Sequence, residues 1–468
     1  MNVTTRISAD LLSPVFAAHQ ATALKLRQTD AAARRAKLAR LDEALVAAAD
    51  AMRAALADDL GRSANESDVV ELIPMMTELR HTRRHLEGWM RPRWARPTAA
   101  TLGTSARIHT QPRGTSLIIS PWNFPLSLAL GPLVSAVAAG CPAIIKPSEY
   151  APHSAAVLAG IVAKVFDPDE VTVIEGEAET ATALLALPFD HIFFTGSPAV
   201  GRIVMHAAAN HLSAITLELG GKSPAIVDAS ADIKKAAAAI VWGKFINAGQ
   251  TCIAPDHVYV HSSLMPAFLA EAQNAIAAMF GPGADYAHII SDRHFARLTG
   301  LLDDAAGQGA TIIRSGADDA ATRRFAPTLI TQTPAQARLM GEEIFGPILP
   351  IITYTALEAL IAAINAGPKP LALYVFGTDA STQARILAET SSGGAAINTA
   401  LMQFTHPNLP FGGVNNSGLG AAHGHAGYLA FSHQRAVLQE RFSAAALLRP
   451  PYTARTRQLI AMTLRYFT

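Results

Sequence analysis

The chain has 468 residues, 50% of them hydrophobic and 16% charged, with Lys+Arg 38 against Asp+Glu 37 and a formal net charge of +1. That length is too great for one hydrophobic core and predicts roughly two or three domains. The balanced charge excludes the basic face of a nucleic-acid binder and an acidic disordered tail, while two cysteines, Cys141 and Cys252, exclude a disulfide framework and make a reducing cytoplasmic compartment the expectation.

At the N-terminus Arg6, Asp10, Lys25 and Arg27 break up the apolar residues, so no secretory leader core is read there. Residues 13–60 have the Ala/Leu/Arg periodicity of amphipathic helices. The stretch from Arg107 to Arg113 alternates like an exposed strand, whose unpaired edge would invite a partner. Residues 114–145 carry no charge and resemble a membrane span by hydropathy alone, but Pro121, Pro125, Pro132 and Pro142 interrupt them. Strand, turn, buried helix and strand account for that run better, and no spanning segment is expected.

Short β-type runs follow at 117–120, 143–146, 171–175 and 191–194, each leading into a turn and a helical stretch. After Gly220-Gly221 the rhythm restarts with a strand at 225–227, a helix at 231–246 and strands at 258–260 and 371–376. This βαβα order predicts an α/β fold with two doubly wound parallel-sheet domains and a boundary near 218–222.

Ligands of such sheets bind at the carboxyl ends of the strands, so the residues there are the candidates for a site. Cys252 stands in Asn247-Ala248-Gly249-Gln250-Thr251-Cys252, among small and polar residues, and Glu218 sits in Leu217-Glu218-Leu219-Gly220-Gly221-Lys222. A thiol and a carboxylate on Gly-marked bends suit a nucleophile and a proton acceptor, whereas an inert buried cysteine is the competing reading. Gly196-Ser197 after a strand could expose backbone N–H groups to a pyrophosphate, or be only a turn. Lys146 and Glu149 could bind ribose hydroxyls or line a solvated loop. Asn123, in Pro121-Trp122-Asn123-Phe124-Pro125, could donate to an oxyanion or form a turn between prolines. Glu342-Glu343-Ile344-Phe345-Gly346-Pro347 could be a further site segment or a capped helix end. His423 and His425 form an H-x-H pair near His406 and His433, but no carboxylate or cysteine completes a ligand set, so a structural or surface cluster is expected and no metal. Cys141, between Gly140 and Pro142, reads as a buried filler.

PWNFP at 121–125, KPSE at 146–149, FTGS at 194–197, LELGGK at 217–222, GQTC at 249–252 and EEIFGP at 342–347 together closely resemble the aldehyde dehydrogenase superfamily, in the family's order and over about residues 10–445. His406-Pro407-Asn408-Leu409-Pro410-Phe411-Gly412-Gly413, Phe431-Ser432-His433-Gln434-Arg435 and Arg449-Pro450-Pro451-Tyr452 look like its class 3 branch, and the overall pattern is similar to coniferyl aldehyde dehydrogenases. Asn415 stands where relatives have glycine; asparagine tolerates positive φ, so the turn is expected to survive.

The resemblance implies that Cys252 is the nucleophile, that Asn123 and the Cys252 backbone N–H form the oxyanion hole, and that Glu218 activates the water that hydrolyses a thioester. It implies that Lys146 and Glu149 bind the adenosine ribose, Gly196 and Ser197 the pyrophosphate, and Glu343 the nicotinamide ribose, with Phe345 and Trp122 nearby. NAD is the expected cofactor because Glu149 should repel a 2′-phosphate, with NADP as the alternative, since class 3 relatives carry the same glutamate and often accept both. The implied domains are a cofactor-binding domain at 1–100 and 114–217, a catalytic domain at 218–416, and an oligomerisation arm at 101–113 with a C-terminal tail in 417–468. A homodimer acting on a hydrophobic aldehyde, aromatic ones included, is the leading expectation. The alternatives are a CoA-acylating enzyme or thiol esterase, against which Glu218 argues, and a non-enzymatic descendant, against which the retention of Cys252, Asn123 and Glu218 together argues. Residues 459–468 are apolar but too short to span a bilayer; a partner subunit or a membrane surface is the contact weighed for them.

Overall fold

The computed structural model describes residues 9–98, 101, 103–281, 283–442 and 449–467; Arg6 and Thr468 lie outside the described residues. Three sheets organise the chain. A three-stranded antiparallel sheet contains β1 (Arg93–Ala95), β2 (Thr104–Pro112) and β16 (Ser432–Glu440), in that order. A six-stranded sheet has β3 (Ser116–Ile119), β4 (Ala143–Lys146), β5 (Val171–Val173), β6 (His191–Gly196) and β7 (Ala214–Leu219) all parallel, with β15 (Gly418–Leu419) antiparallel on β7. A seven-stranded sheet holds β8 (Pro224–Val227), β9 (His257–His261), β10 (Thr311–Arg314), β11 (Thr328–Thr331), β12 (Ile348–Tyr354), β13 (Ala372–Phe376) and β14 (Gly394–Ile397); only the β10–β11 pair is antiparallel.

The central parallel strands are covered on both faces, which is why they read as continuous apolar runs: β3, β4, β8 and β13 are buried at every position. Helices α1 (Ala9–Leu26), α2 (Ala31–Ala47), α3 (Ala49–Leu60) and α4 (Ala64–Ser67) lead through a π-helical turn, Asp68–Leu72, into α5 (Ile73–Met90). These, with α6 (Ser127–Ala139), α7 (Pro152–Val165), α8 (Ala178–Leu185) and α9 (Pro198–His211), surround the six-stranded sheet. Around the other sheet lie α10 (Ile233–Phe245), α11 (Met265–Phe280), α12 (Asp292–Gly307), α13 (Arg338–Gly341), α14 (Leu357–Ala366) and α15 (Ala380–Glu389).

The uncharged run at 114–145 is β3, α6 and β4. Nearly all of α6 is buried in the protein, and its 13 residues span about 20 Å, less than a hydrocarbon core. Among the described residues no helix is long and apolar enough to cross a membrane.

The chain passes from the six-stranded to the seven-stranded sheet at residues 220–223, between β7 and β8. The arm differs from the sequence reading in two respects. The three-stranded sheet also takes β1, and the stretch after residue 417 contributes β15 and α16 (Gly424–Ala430) to the six-stranded body. Tyr428 of α16 and Phe431 just after it fill the core beneath α5 and α6, so local sequence between two loops hides an apolar plug. The C-terminal stretch forms helix α17 (Ala454–Phe467).

Candidate active site

The functional side chains sit on the carboxyl ends of parallel strands, where backbone turns away from the sheet and groups become free to face a ligand. Asn123 follows β3, Lys146 ends β4, Gly196 ends β6 and Glu218 lies in β7. Cys252 reaches them from the other sheet through a tight turn after α10, Ile246–Gly249. Asn247, Ala248 and Gly249 adopt φ of +53°, +50° and +73° there. A side chain at Gly249 would place its Cβ 2.4 Å from the Gly346 oxygen, so glycine is required where the two loops touch.

Cys252 and Glu218 open onto one cavity of about 360 Å³. Its walls are apolar and aromatic: Phe124, Leu128, Trp242, Phe404 and Phe411 are among them. Both carboxylate oxygens of Glu218 are buried without a hydrogen-bond partner, and burial pushes its pKa well above the usual range. Burial likewise pushes the Cys252 thiol up to about 12, with the neighbouring Glu343 and Glu218 adding to the shift. That shift favours the Cys252 thiol over the thiolate at neutral pH.

Asn123 is buried but is not part of the cavity wall. Its Nδ2 donates to the Gln250 carbonyl oxygen at 3.0 Å, and its own carbonyl oxygen accepts from Arg62 Nη2 at 2.7 Å and Asn247 Nδ2 at 3.0 Å. Gln250 is fixed in turn, donating to the His288 carbonyl at 3.0 Å and accepting from the Ile290 N–H at 3.0 Å. Tyr374 Oη donates to the Ile253 carbonyl at 2.6 Å, holding the residue after the thiol.

At the end of β4, Lys146 Nζ pairs with Glu149 Oε2 at 2.8 Å. Ser197 caps α9, its hydroxyl accepting from the Val200 N–H at 3.3 Å. Gly196 and Gly201 leave no space for larger residues: a Cβ would meet the Phe194 ring at 2.5 Å and the Leu219 side chain at 2.7 Å. Helix α9 is thereby seated close to the sheet, with its N-terminus aimed along the strand ends.

Glu343 is half-buried, accepts from the Gly221 N–H at 3.1 Å, and is pushed up to about 8 by desolvation. Its loop is clamped by Lys222, which donates to the Leu339 and Glu342 carbonyls at 2.7 and 3.0 Å, and by Arg297, which donates to the Glu343 and Ile344 carbonyls. Phe345, at φ +48°, meets Trp122 edge-on with ring centroids 5.4 Å apart. Carboxylates able to accept from sugar hydroxyls and a helix N-terminus able to receive phosphate oxygens are groups that fit a dinucleotide.

Sequence reading missed His423. It is not a surface residue: it lines the cavity at φ +70°, its ring stacked on Phe411 at 5.2 Å and edge-on to Phe404 at 4.6 Å. Burial lowers its pKa to about 4, so the ring is neutral. His425 instead packs on Trp89 and Tyr428. Among the described residues no group of three or more His, Cys, Asp or Glu could hold a metal ion. Cys141 is buried, with Sγ 3.3 Å from the Phe431 oxygen, and Asn415 takes φ +56° as its turn requires.

Comparison with known proteins shows the family to which the chain is similar. A model described as the aldehyde dehydrogenase family matches residues 2–437. The chain is 40% identical over 454 residues to the probable coniferyl aldehyde dehydrogenase of Pseudomonas aeruginosa, covering 96% of this chain and 95% of that one. It is 42% identical over 388 residues to the dimeric NADP-preferring aldehyde dehydrogenase of Rattus norvegicus, covering 82% and 84%. Among solved structures, the substrate-bound state of Staphylococcus aureus AldH matches with a TM-score of 0.92 and 37% identity, over 99% of this chain and 100% of that one.

Proposed function

The chain belongs to the aldehyde dehydrogenase family and is an NAD(P)-dependent aldehyde dehydrogenase, and we propose that within this activity it oxidises hydrophobic aldehydes, aromatic ones included, through a thioester on Cys252. One observation carries this reading: Cys252 and an unpartnered Glu218 share a cavity whose remaining walls are largely apolar and aromatic. Such walls favour substrates that bury rings or alkyl chains beside the reacting carbon.

In this reading Cys252 Sγ passes its proton to solvent water and adds to the aldehyde carbon. Negative charge then gathers on the aldehyde oxygen, where the second N–H of the Asn123 amide and the Cys252 backbone N–H would donate. Loss of hydride from the same carbon leaves a thioester. NAD(P), held by Lys146, Glu149, Gly196, Ser197 and Glu343 with Trp122 and Phe345 alongside, supplies the hydride acceptor. Glu218 takes a proton from water, whose oxygen attacks the thioester carbon; the C–S bond breaks and the acid leaves. A carboxylate without partners, with its proton affinity raised by burial, suits that task, and its presence disfavours acyl transfer to CoA.

We assign cofactor binding to residues 1–100 and 114–217, with β15 and α16 added, and catalysis to residues 218–416. The unpaired, exposed edge strand β16 supports a homodimer formed through the arm, and a cytoplasmic location is proposed on cysteine usage. NAD is favoured over NADP by Glu149, although the rat relative is named as NADP-preferring.

The test is to follow reduced nicotinamide when purified protein meets NAD or NADP and a panel of aromatic and short aliphatic aldehydes. Cys252→Ala should be inactive; full activity in that variant would refute the nucleophile. Glu218→Gln should give one burst of reduced cofactor and then stall, whereas wild-type turnover would remove Glu218 from deacylation.

A further inference from the structure

Two loops from different sheets must meet for Asn123 and Cys252 to act on one carbonyl, and a buried side chain from a third segment bonds to both. Arg62, just past α3, is 1% exposed. Its Nη2 donates to the Asn123 carbonyl at 2.7 Å and to Asn247 Oδ1 at 2.8 Å, while Nη1 pairs with the fully buried Glu71. The guanidinium also lies over the Phe124 ring, 5.1 Å from its centroid. Glu71 closes the other end of the Asn123 loop, its Oε1 accepting from the Leu126 and Ser127 N–H groups at 2.7 and 2.9 Å. Asn247 in turn donates to both Asn123 O and Gln250 O, at 3.0 and 3.1 Å.

Given the roles assigned above to Asn123 and Cys252, we propose that Arg62 is a positioning residue that sets the Asn123 amide against the Cys252 loop, with Glu71 as its counter-charge. The planar guanidinium fork reaches three acceptors in fixed directions, which a hydrogen-bonding alkyl or amide side chain cannot reproduce. Arg62 touches neither Cys252 nor the substrate, and it acts through Asn123. An oxyanion donor displaced by about 1 Å loses most of its effect, so removal of Arg62 should slow acylation by roughly 10–100-fold.

The readout is the single-turnover burst of reduced nicotinamide, with cofactor affinity and thermal stability measured alongside. Removing Arg62 alone would strand the Glu71 carboxylate in the interior, so the principal variant is Arg62→Met/Glu71→Gln, and Arg62→Gln serves if that pair does not fold. The folded variant should bind NAD within about twofold of wild type while its burst slows, and Arg62→Lys, which keeps the charge but not the fork, should recover little of the rate. Added to Asn123→Ala, the change should slow the burst little further, because both act on one donor. A wild-type burst in the folded variant, or a loss that multiplies with that of Asn123→Ala, overturns the proposal. If Asn123→Ala alone left the burst intact, the oxyanion assignment itself would fail, a different result from an inert Arg62.

Discussion

Asn123 Nδ2 lies 3.0 Å from the carbonyl oxygen of Gln250, two residues before Cys252. The amide proposed to stabilise the oxyanion is thus tied by one of its two N–H groups to the loop that carries the thiol, leaving the other for substrate. Asn123→Ala removes the donor and the tie together. It should lower kcat by roughly 10²–10³-fold in steady-state assays, with cofactor affinity retained. Asn123→Asp should be no better, since a carboxylate cannot donate and would repel the developing charge; wild-type kcat in either variant counts against the oxyanion role.

The raised thiol of Cys252 predicts a pH dependence of known sign. Because the neutral form is favoured up to about pH 12, the thiolate fraction of the cofactor-free protein should grow about tenfold per pH unit across the neutral and mildly alkaline range. Iodoacetamide labelling, followed by mass spectrometry at Cys252, should therefore accelerate with pH without a plateau near neutrality. Because desolvation is the main cause of the shift, Glu218→Gln, which leaves the thiol as buried as before, should keep the same rise with pH. A plateau below about pH 8 would mean that the empty site already holds a thiolate.

Much of this site was legible because its residues are local punctuation. Asn123, Lys146, Gly196 and Glu218 stand at or next to strand ends, and buried parallel strands announce themselves as apolar runs. Cys252 was legible through the small residues of its turn. What escaped depends on contacts between segments far apart in the chain. Arg62 and Asn247 are 185 residues apart, and nothing near Arg62 distinguishes it from a solvated arginine after a helix. His423 reads in the sequence as part of a structural or surface histidine cluster, whereas Phe404 and Phe411 make it part of the cavity wall. The β15–α16 segment was likewise given to the arm, since a two-residue strand and a seven-residue helix carry too little periodicity to show which body they join.

The position of His423 predicts substrate selectivity without a titration. Its ring is neutral down to about pH 4 and forms part of the aromatic wall with Phe404 and Phe411. His423→Ala would remove that wall and leave a void, so kcat/KM for aromatic aldehydes should fall by roughly 10-fold or more, in line with the worth of a pocket contact. Short aliphatic aldehydes, which need less of the wall, should change by about twofold or less. His423→Phe should retain aromatic substrates better than His423→Ala. Equal losses for both substrate classes would place His423 outside substrate selection.

Glu343 offers a test of the cofactor edge that leaves the aldehyde cavity untouched. A Cβ at Gly220 would lie 2.1 Å from Glu343 Oε2 and 2.5 Å from Oε1. Those atoms are the free end of a side chain, so Gly220→Ala should move the carboxylate off the Gly221 N–H instead of disrupting β7. Loss of one hydrogen bond to a ribose hydroxyl predicts about a tenfold rise in the Kd for NAD(P), measured by quenching of tryptophan fluorescence. Glu343→Gln should weaken the cofactor to a similar degree, and the two changes together should be no worse than the stronger one, because they act on the same contact. The KM for aldehyde at saturating cofactor should stay near wild type in all three. Wild-type cofactor affinity in a folded Gly220→Ala would separate Glu343 from cofactor binding and leave it as a clamp between β7 and the loop before β12.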